Sequence, residues 1–137
     1  MRVVIDTNVF VSTVLGGALA ELLDRWQSGQ FTLVVTDDIV REYLEVLRRP
    51  KFALPAELVD TIIGYVFHKA EFVIPTESLT VVDADPKDNK FLEAAVAGDA
   101  ELIVGGDRHL LDVRAYRQTP IVTARDFLNR LQGDAAE

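Results

Sequence analysis

Residues 85–107 read DPKDNKFLEAAVAGDAELIVGGD, and this stretch decides the fold because it holds a helix, a strand and the punctuation of both. Asp85-Pro86-Lys87-Asp88 has the form of a helix start: a capping carboxylate, a proline in the first turn and an acid at the third position. Phe91 to Ala97 continue the helix and Gly98 ends it. Leu102 to Val104 is a short apolar strand. Gly105 and Gly106 then let the backbone turn closely before Asp107.

The same alternation extends in both directions. Upstream, Arg2 to Ile5 reads as a buried strand, and Ala18 to Trp26 as a helix through the spacing of Leu19, Leu22, Leu23 and Trp26, closed by Gly29. Phe31 to Val35 is a second strand, and Thr36 or Asp37 caps a helix running to about Arg48. Pro50 and Pro55 bound a loop. Glu57 to Lys69 is helical through Leu58, Ile62, Tyr65 and Val66, Phe72 to Ile74 is a strand segment, and Pro75 to Ser78 is a connector. Downstream, Arg108 to Leu111 is a short helix and Ile121 to Val122 a strand, and Thr123-Ala124-Arg125-Asp126 caps a last helix through Leu131. Strands alternating with helices predict an α/β protein whose mainly parallel sheet is covered by helices on both faces.

A length of 137 residues, 49% of them hydrophobic, suffices for one core without staples. The reading is a single domain over residues 1–132 with a frayed tail from Gly133 to Glu137. Cysteine is absent, which excludes disulfide frameworks, thiolate zinc sites and cysteine nucleophiles and favours a cytoplasmic location. Asp6 and Asn8 interrupt the first apolar stretch too early for a secretory signal, and no run reaches the roughly 20 apolar residues of a membrane helix. The net charge of −8 opposes a polyanionic substrate unless cations reverse the sign locally. Basic residues are grouped at Arg48-Arg49-Pro50-Lys51, and the acidic remainder suits a basic protein partner.

In an open parallel sheet, ligands collect beyond the carboxyl ends of the strands. Asp6 directly follows Val3-Val4-Ile5, Asp107 follows Leu102-Ile103-Val104 and the two glycines, and Asp88 lies in the first turn of a helix that starts at that edge. Glu42 joins them by geometry: Val40, Tyr43, Leu44 and Leu47 form the apolar stripe of its helix, with Ile39 and Val46 on one shoulder and Glu42 beside it. Arg41, Glu45 and Arg48 fall on the solvent side.

Each acid also has a structural explanation. Asp88 can complete a capping box with Asp85, Asp107 can cap the next helix and Glu42 can be a solvated surface acid; capping alone is worth about 1 kcal/mol. Asp6, with no evident turn of its own, has the weakest structural alternative. Four converging carboxylates would raise one another's pKa values and so ask for a metal. With oxygen donors only, Mg²⁺ or Mn²⁺ is expected. His68 and His109 lack the paired spacing of zinc ligands and are read as ordinary helical or surface residues. No nucleophile elbow is present, which disfavours covalent hydrolysis by a Ser, His and Asp arrangement.

The segments VVIDTNVFVS, VREYLEVLRRPKF, DPKDNKFLEAAVAGDAELIVGGDRHLL and PIVTARDFLNRL, in this order and spanning nearly the whole chain, resemble the PIN-domain family, in particular its VapC-like toxins. The resemblance implies a three-layer PIN-like fold and metal ligation by Asp6, Glu42, Asp88 and Asp107, with Asn8 and Asn89 as supporting polar groups. It implies an Mg²⁺- or Mn²⁺-dependent endoribonuclease using metal-activated water, with products ending in a 5′ phosphate and a 3′ hydroxyl. Lys87, Lys90, Arg108, Arg48 and Arg49 are the candidate phosphate contacts. A small antitoxin partner and a homodimer follow from the same resemblance. One departure stands out: many relatives carry Ser or Thr where this chain has Gly105.

Two other readings fit less of the pattern. A haloacid-dehalogenase-type phosphatase also places an Asp after its first strand, but it wants a second acid where Asn8 stands. A catalytically weak PIN-like module that binds RNA or protein is compatible with the missing hydroxyl at Gly105.

Overall fold

In the computed structural model, which describes residues 1–83 and 85–136, the strands are β1 (Arg2–Ile5), β2 (Thr32–Val35), β3 (Glu71–Phe72), β4 (Leu102–Val104), β5 (Ala115–Tyr116) and β6 (Thr119–Val122). They form one sheet in the order β3-β2-β1-β4-β6-β5. Every neighbouring pair is parallel except β5 with β6. The helices are α1 (Thr7–Leu15), α2 (Ala20–Gln27), α3 (Asp37–Leu47), α4 (Ala56–Lys69), α5 (Asn89–Ala97), α6 (Arg108–Leu111) and α7 (Ala124–Ala136). The expected α/β class with a central, mainly parallel sheet flanked by helices is what the chain adopts. Among the described residues, no helix is long and apolar enough to cross a membrane.

The sheet is the centre of the core. Val3, Val4, Val34, Val35, Ile103 and Val104 are fully buried, as expected for parallel strands covered on both faces. Burying each such side chain contributes about 1.5–3 kcal/mol. α5 packs across β1, β2 and β4, and its C-terminal Gly98 sits so close that a Cβ there would lie 2.6 Å from Val34 Cγ1.

Local signals set most helix ends. Thr36 caps α3 by accepting the Ile39 amide at 3.2 Å. Thr123 Oγ1 accepts the Asp126 amide at the start of α7, and Gly29 takes the positive φ of 81° that ends the α2 region.

Three features of the fold differ from the sequence reading or were absent from it. The stretch after β1 is helical: α1 is capped by Asp6, whose side chain accepts the Val9 amide. Its Val9, Val11 and Val14 lower helix propensity, and burial of Val9, Phe10 and Val11 overrides that preference. The second is that β5, absent from the sequence reading, pairs antiparallel with β6 through a turn in which Arg117 and Gln118 both take positive φ, a conformation their identities do not advertise. Thirdly, α7, read from the sequence as running through Leu131, extends to Ala136; Glu137 lies outside the described residues. Two smaller differences concern the strand after α4, which is Glu71–Phe72, and the helix start at Asp85, which is a 3-10 turn over Pro86–Asp88 leading into α5.

Candidate metal centre

The strand order reverses direction at β1. From there the chain proceeds outward to β2 and β3 on one side, and β4 and β6 lie on the other. Such a switch point leaves a crevice at the carboxyl ends of the adjacent strands. Ile5 and Val104 are register partners at those ends, and the Asp6 amide donates to the Val104 carbonyl at 2.9 Å. Asp6 and Asp107 therefore leave neighbouring strands at one edge.

Asp6 is 2% exposed. Its Oδ1 accepts the Val9 amide at 2.9 Å, and its Oδ2 accepts the amides of Gly106 at 2.7 Å and Asp107 at 3.3 Å. Burial raises its pKa above the usual carboxylate value, the three backbone donors oppose that rise, and the nearby Asp107 charge adds to it. A carboxylate offers about four acceptor positions, so these bonds orient Asp6 without exhausting it.

Glu42 reaches the edge from α3, half-buried as its place beside the apolar shoulder predicts, while Arg41, Glu45 and Arg48 are exposed. The ring of Tyr43 stacks on Phe10 of α1 at 4.0 Å between centroids, and its hydroxyl donates to the Ile5 carbonyl, fixing α3 to α1 and to the end of β1. Glu42 Oε1 then accepts the Thr7 hydroxyl, and Oε2 accepts Lys90 Nζ from α5. Thr7 and the pairing of Lys90 with Glu42 were not foreseen; no local sequence signal marks a contact between residues 48 positions apart.

Asp107 caps α6 by accepting the His109 amide at 2.7 Å. Asp88 makes no comparable bond. It is 8% exposed, and its Oδ2 is the buried side-chain oxygen without a hydrogen-bond partner among the described residues. Burial, followed by the charges of Asp107, Asp85, Asp6 and Glu42, lifts its pKa to about 7. The four predicted acids thus share one electrostatic neighbourhood. Structural duties account for Asp6, Asp107 and Glu42 in part, but no cap or ion pair accounts for Asp88, whose expected capping box with Asp85 does not form.

That orphaned oxygen is the test of whether a metal fits. An unpaired buried carboxylate facing other acids is costly, and a hard divalent cation satisfies the oxygen and offsets the charge together. The all-oxygen donor set suits such an ion. Beside it, donor atoms of Asp85, Asp107 and His109 lie within 4.8 Å of one another, so Asp85 and His109 join a neighbourhood that sequence spacing had not assigned to them.

The other predicted residues separate by role. Asn89 is buried; its Oδ1 accepts the amides of Val81 and Val82 and its Nδ2 donates to the Pro86 carbonyl, so it supports the edge by holding the connector before α5. Asn8 is exposed at the start of α1. Lys87 and Lys90 line a groove of about 450 Å³ together with Glu42, and Arg41 joins them there. Arg108 is exposed on α6. Arg48 and Arg49 are exposed past the end of α3 and do not line the groove; six residues at 1.5 Å each carry Arg48 roughly 9 Å along the helix beyond Glu42.

A Cβ at Gly105 would meet Leu110 Cδ2 at 3.3 Å and Asp6 Oδ2 at 3.6 Å. The missing hydroxyl is therefore one that would sit beside Asp6. In its absence, Asp6 Oδ2 is held by backbone amides.

A mainly parallel α/β sheet with the buried acids Asp6 and Asp88 near its switch point defines the class, that of open α/β proteins whose ligand crevice lies at the carboxyl ends of the central strands. Within that class the chain belongs to the PIN-domain family: residues 2–109 match the family profile described as PIN domain. No curated protein matches it. PIN domains are in general nucleases that bind divalent metal, and the acidic edge is in keeping with both properties.

Proposed function

We propose that this PIN-domain protein is an Mg²⁺- or Mn²⁺-dependent endoribonuclease whose metal ligands are Asp6, Glu42, Asp88 and Asp107. The buried, unpartnered Oδ2 of Asp88 carries the reading, because a bound cation would satisfy that oxygen and offset the charges of the acids around it in one step. A bound divalent cation supplies Lewis acidity, lowering the pKa of a water and offsetting charge on the phosphate and leaving oxygens.

The chain's own residues do the rest. The Val9, Gly106 and Asp107 amides aim Asp6, while Thr7 and Lys90 hold Glu42 at the edge. Lys87, Arg108 and Arg41 are exposed cations suited to RNA phosphates. With a net charge of −8, affinity for RNA depends on this local arrangement rather than on bulk attraction. Hydrolysis at the 3′ oxygen leaves a 5′ phosphate and a 3′ hydroxyl. The acidic surface outside the groove suits a basic antitoxin, which together with a homodimer and a cytoplasmic location makes up the toxin reading.

A second reading, RNA or protein binding with weak catalysis, is favoured by Gly105, which leaves Asp6 without a hydroxyl beside it. Purified protein incubated with labelled single-stranded RNA and Mn²⁺ separates the two. Cleavage that disappears in Asp88→Asn supports the nuclease. Binding of RNA and Mn²⁺ with no cleavage across a varied RNA set supports the second reading.

A further inference from the structure

Arg41 stands on a ridge of α3 between two depressions. By helical spacing, Asp38, Glu42 and Glu45 lie to one side of it and line the groove that holds Lys87 and Lys90, whereas Asp37, Val40 and Leu44 lie to the other side. There they meet Ile63 and Phe67 of α4 around a second, mainly apolar depression of about 180 Å³. Arg41 lines both hollows. It is exposed, and among the described residues it makes no ion pair.

Phe67 sets this second hollow apart. It is 61% exposed, and its ring stacks on that of Phe72 at 5.1 Å between centroids with 10° between the planes. Single exposed apolar residues are ordinary on a protein surface. This one is held flat, beside Val40, Leu44 and Ile63 and next to an unpaired cation. A ring fixed in that way has little rotamer freedom to lose when another flat group stacks against it.

An apolar hollow admits either a partner's apolar side chain or a planar ring, and the charges at its mouth decide between them. A protein's apolar side chain leaves Arg41 and Asp37 without partners. A nucleotide supplies a phosphate for Arg41 and base N–H donors for the Asp37 carboxylate, which itself keeps a phosphate out of the hollow. The volume is below the roughly 300 Å³ at which pockets for drug-sized molecules begin, so it suits one planar group. We infer that this depression is a nucleobase subsite: a single strand of RNA whose scissile phosphate lies at the acidic edge crosses α3 at Arg41 and stacks one unpaired base on Phe67. A duplex keeps its base faces stacked inside the helix, whereas a single strand can splay a base onto an aromatic ring. The subsite rests on the reading of the groove as an RNA track and deepens it by naming single-stranded RNA as the substrate class and Phe67 as the residue that selects it.

The test measures binding of a fluorescein-labelled single-stranded RNA of mixed sequence to the full chain by anisotropy, with Ca²⁺ in place of Mg²⁺, over a range of salt. Phe67→Ala is expected to weaken binding about fivefold or more, the loss that follows removal of one base–aromatic stack, while the dependence of log affinity on log salt stays as it was. Arg41→Ala is expected to lower that slope by about 0.7, as for one phosphate contact on a single strand. Phe67→Tyr should bind as the wild type does. The fluorescence of Phe67→Trp should be quenched by the single strand and not by a blunt duplex of the same sequence, over a constant background from the buried Trp26.

Equal RNA affinity in wild type and Phe67→Ala, with cleavage in Mn²⁺ intact, overturns the subsite and leaves the nuclease standing. Binding that depends on Phe67 without cleavage in any divalent metal overturns the nuclease and keeps the subsite. Absence of both binding and cleavage overturns both. A change in sedimentation of Phe67→Ala with no change in RNA affinity means that a second copy covers the hollow, and the subsite falls. Phe67 lies outside the buried core, and the melting temperature checks that the variants fold.

Discussion

Asp6 Oδ2 accepts the amide of Gly106 at 2.7 Å across 100 residues of sequence. One carboxylate thereby ties the end of β1 to the turn after β4, and the same group caps α1 through its other oxygen. In Asp6→Asn the amide keeps one acceptor oxygen and replaces the other with a donor, which confronts the Gly106 amide. The lost bonds cost about 1–3 kcal/mol, and relief from burying a charge offsets part of that. Urea denaturation of metal-free protein should show a net loss of about 1 kcal/mol. Mg²⁺ should raise the melting temperature of the wild type but not of Asp6→Asn; an equal rise in both removes Asp6 from the ligand set.

Asp88 makes metal-free stability depend on pH. Its folded pKa, raised to about 7 mainly by burial, lies above the unfolded value, so the folded state binds the proton more tightly. The resulting stability is fully present below the unfolded value near 4 and is lost as pH rises through about 7. Asp6 is shifted in the same direction. Urea midpoints without metal should therefore fall between pH 5 and pH 8, less steeply in Asp88→Asn, and saturating Mg²⁺ should restore the midpoint at pH 8. A wild-type midpoint that does not change over this range contradicts the burial of Asp88.

Lys90 is a resident counterion for Glu42. Both side chains are partly buried, so the pair lies between exposed pairs worth about 0–1 kcal/mol and buried ones whose disruption costs about 3–5 kcal/mol. Lys90→Met should destabilise the metal-free protein by about 1–2 kcal/mol and enlarge the stabilisation by Mg²⁺. If Lys90 acts on substrate phosphates alone, the substitution leaves the metal-free melting temperature where it was and lowers only RNA affinity.

Gly98 tests the packing that brings α5 to the sheet. Its φ of −99° suits any residue, so the penalty for a side chain is steric. The 2.6 Å approach of a Cβ to Val34 Cγ1 meets a fully buried, β-branched neighbour that cannot swing aside. Gly98→Ala should cost about 1–3 kcal/mol by overpacking. Adding Val34→Ala should recover part of it, and strictly additive effects in that double-mutant cycle would show that the two positions do not touch.

Much of the architecture was legible locally. Strands β1, β2 and β4 announce themselves as β-branched runs, and α3, α5 and α7 carry their start signals within a few residues, because capping and side-chain periodicity act over one turn. Placing Asp6 and Asp107 just beyond apolar strands was enough to nominate the sheet edge, since a parallel sheet exposes its carboxyl ends together. Helix α1 was not legible: its valines argue against a helix taken in isolation, and only burial against α2 and α3 reverses the balance. The β5–β6 hairpin escaped because Arg117 and Gln118 accept positive φ without the glycine or asparagine that normally marks such a turn.

Sequence alone determined which residues are helical or extended at most positions and which acids stand at strand ends, because these properties depend on neighbours a few residues away. Tertiary structure alone decided that Lys90 faces Glu42, that His109 and Asp85 join Asp107, and that Asp88 is buried without a partner. Those relations depend on the order of strands in the sheet and on where each side chain points after packing, and neither is encoded in local spacing. The charge state of the edge follows from them, since the energy between carboxylates depends on their separation in space and on how much water is left between them.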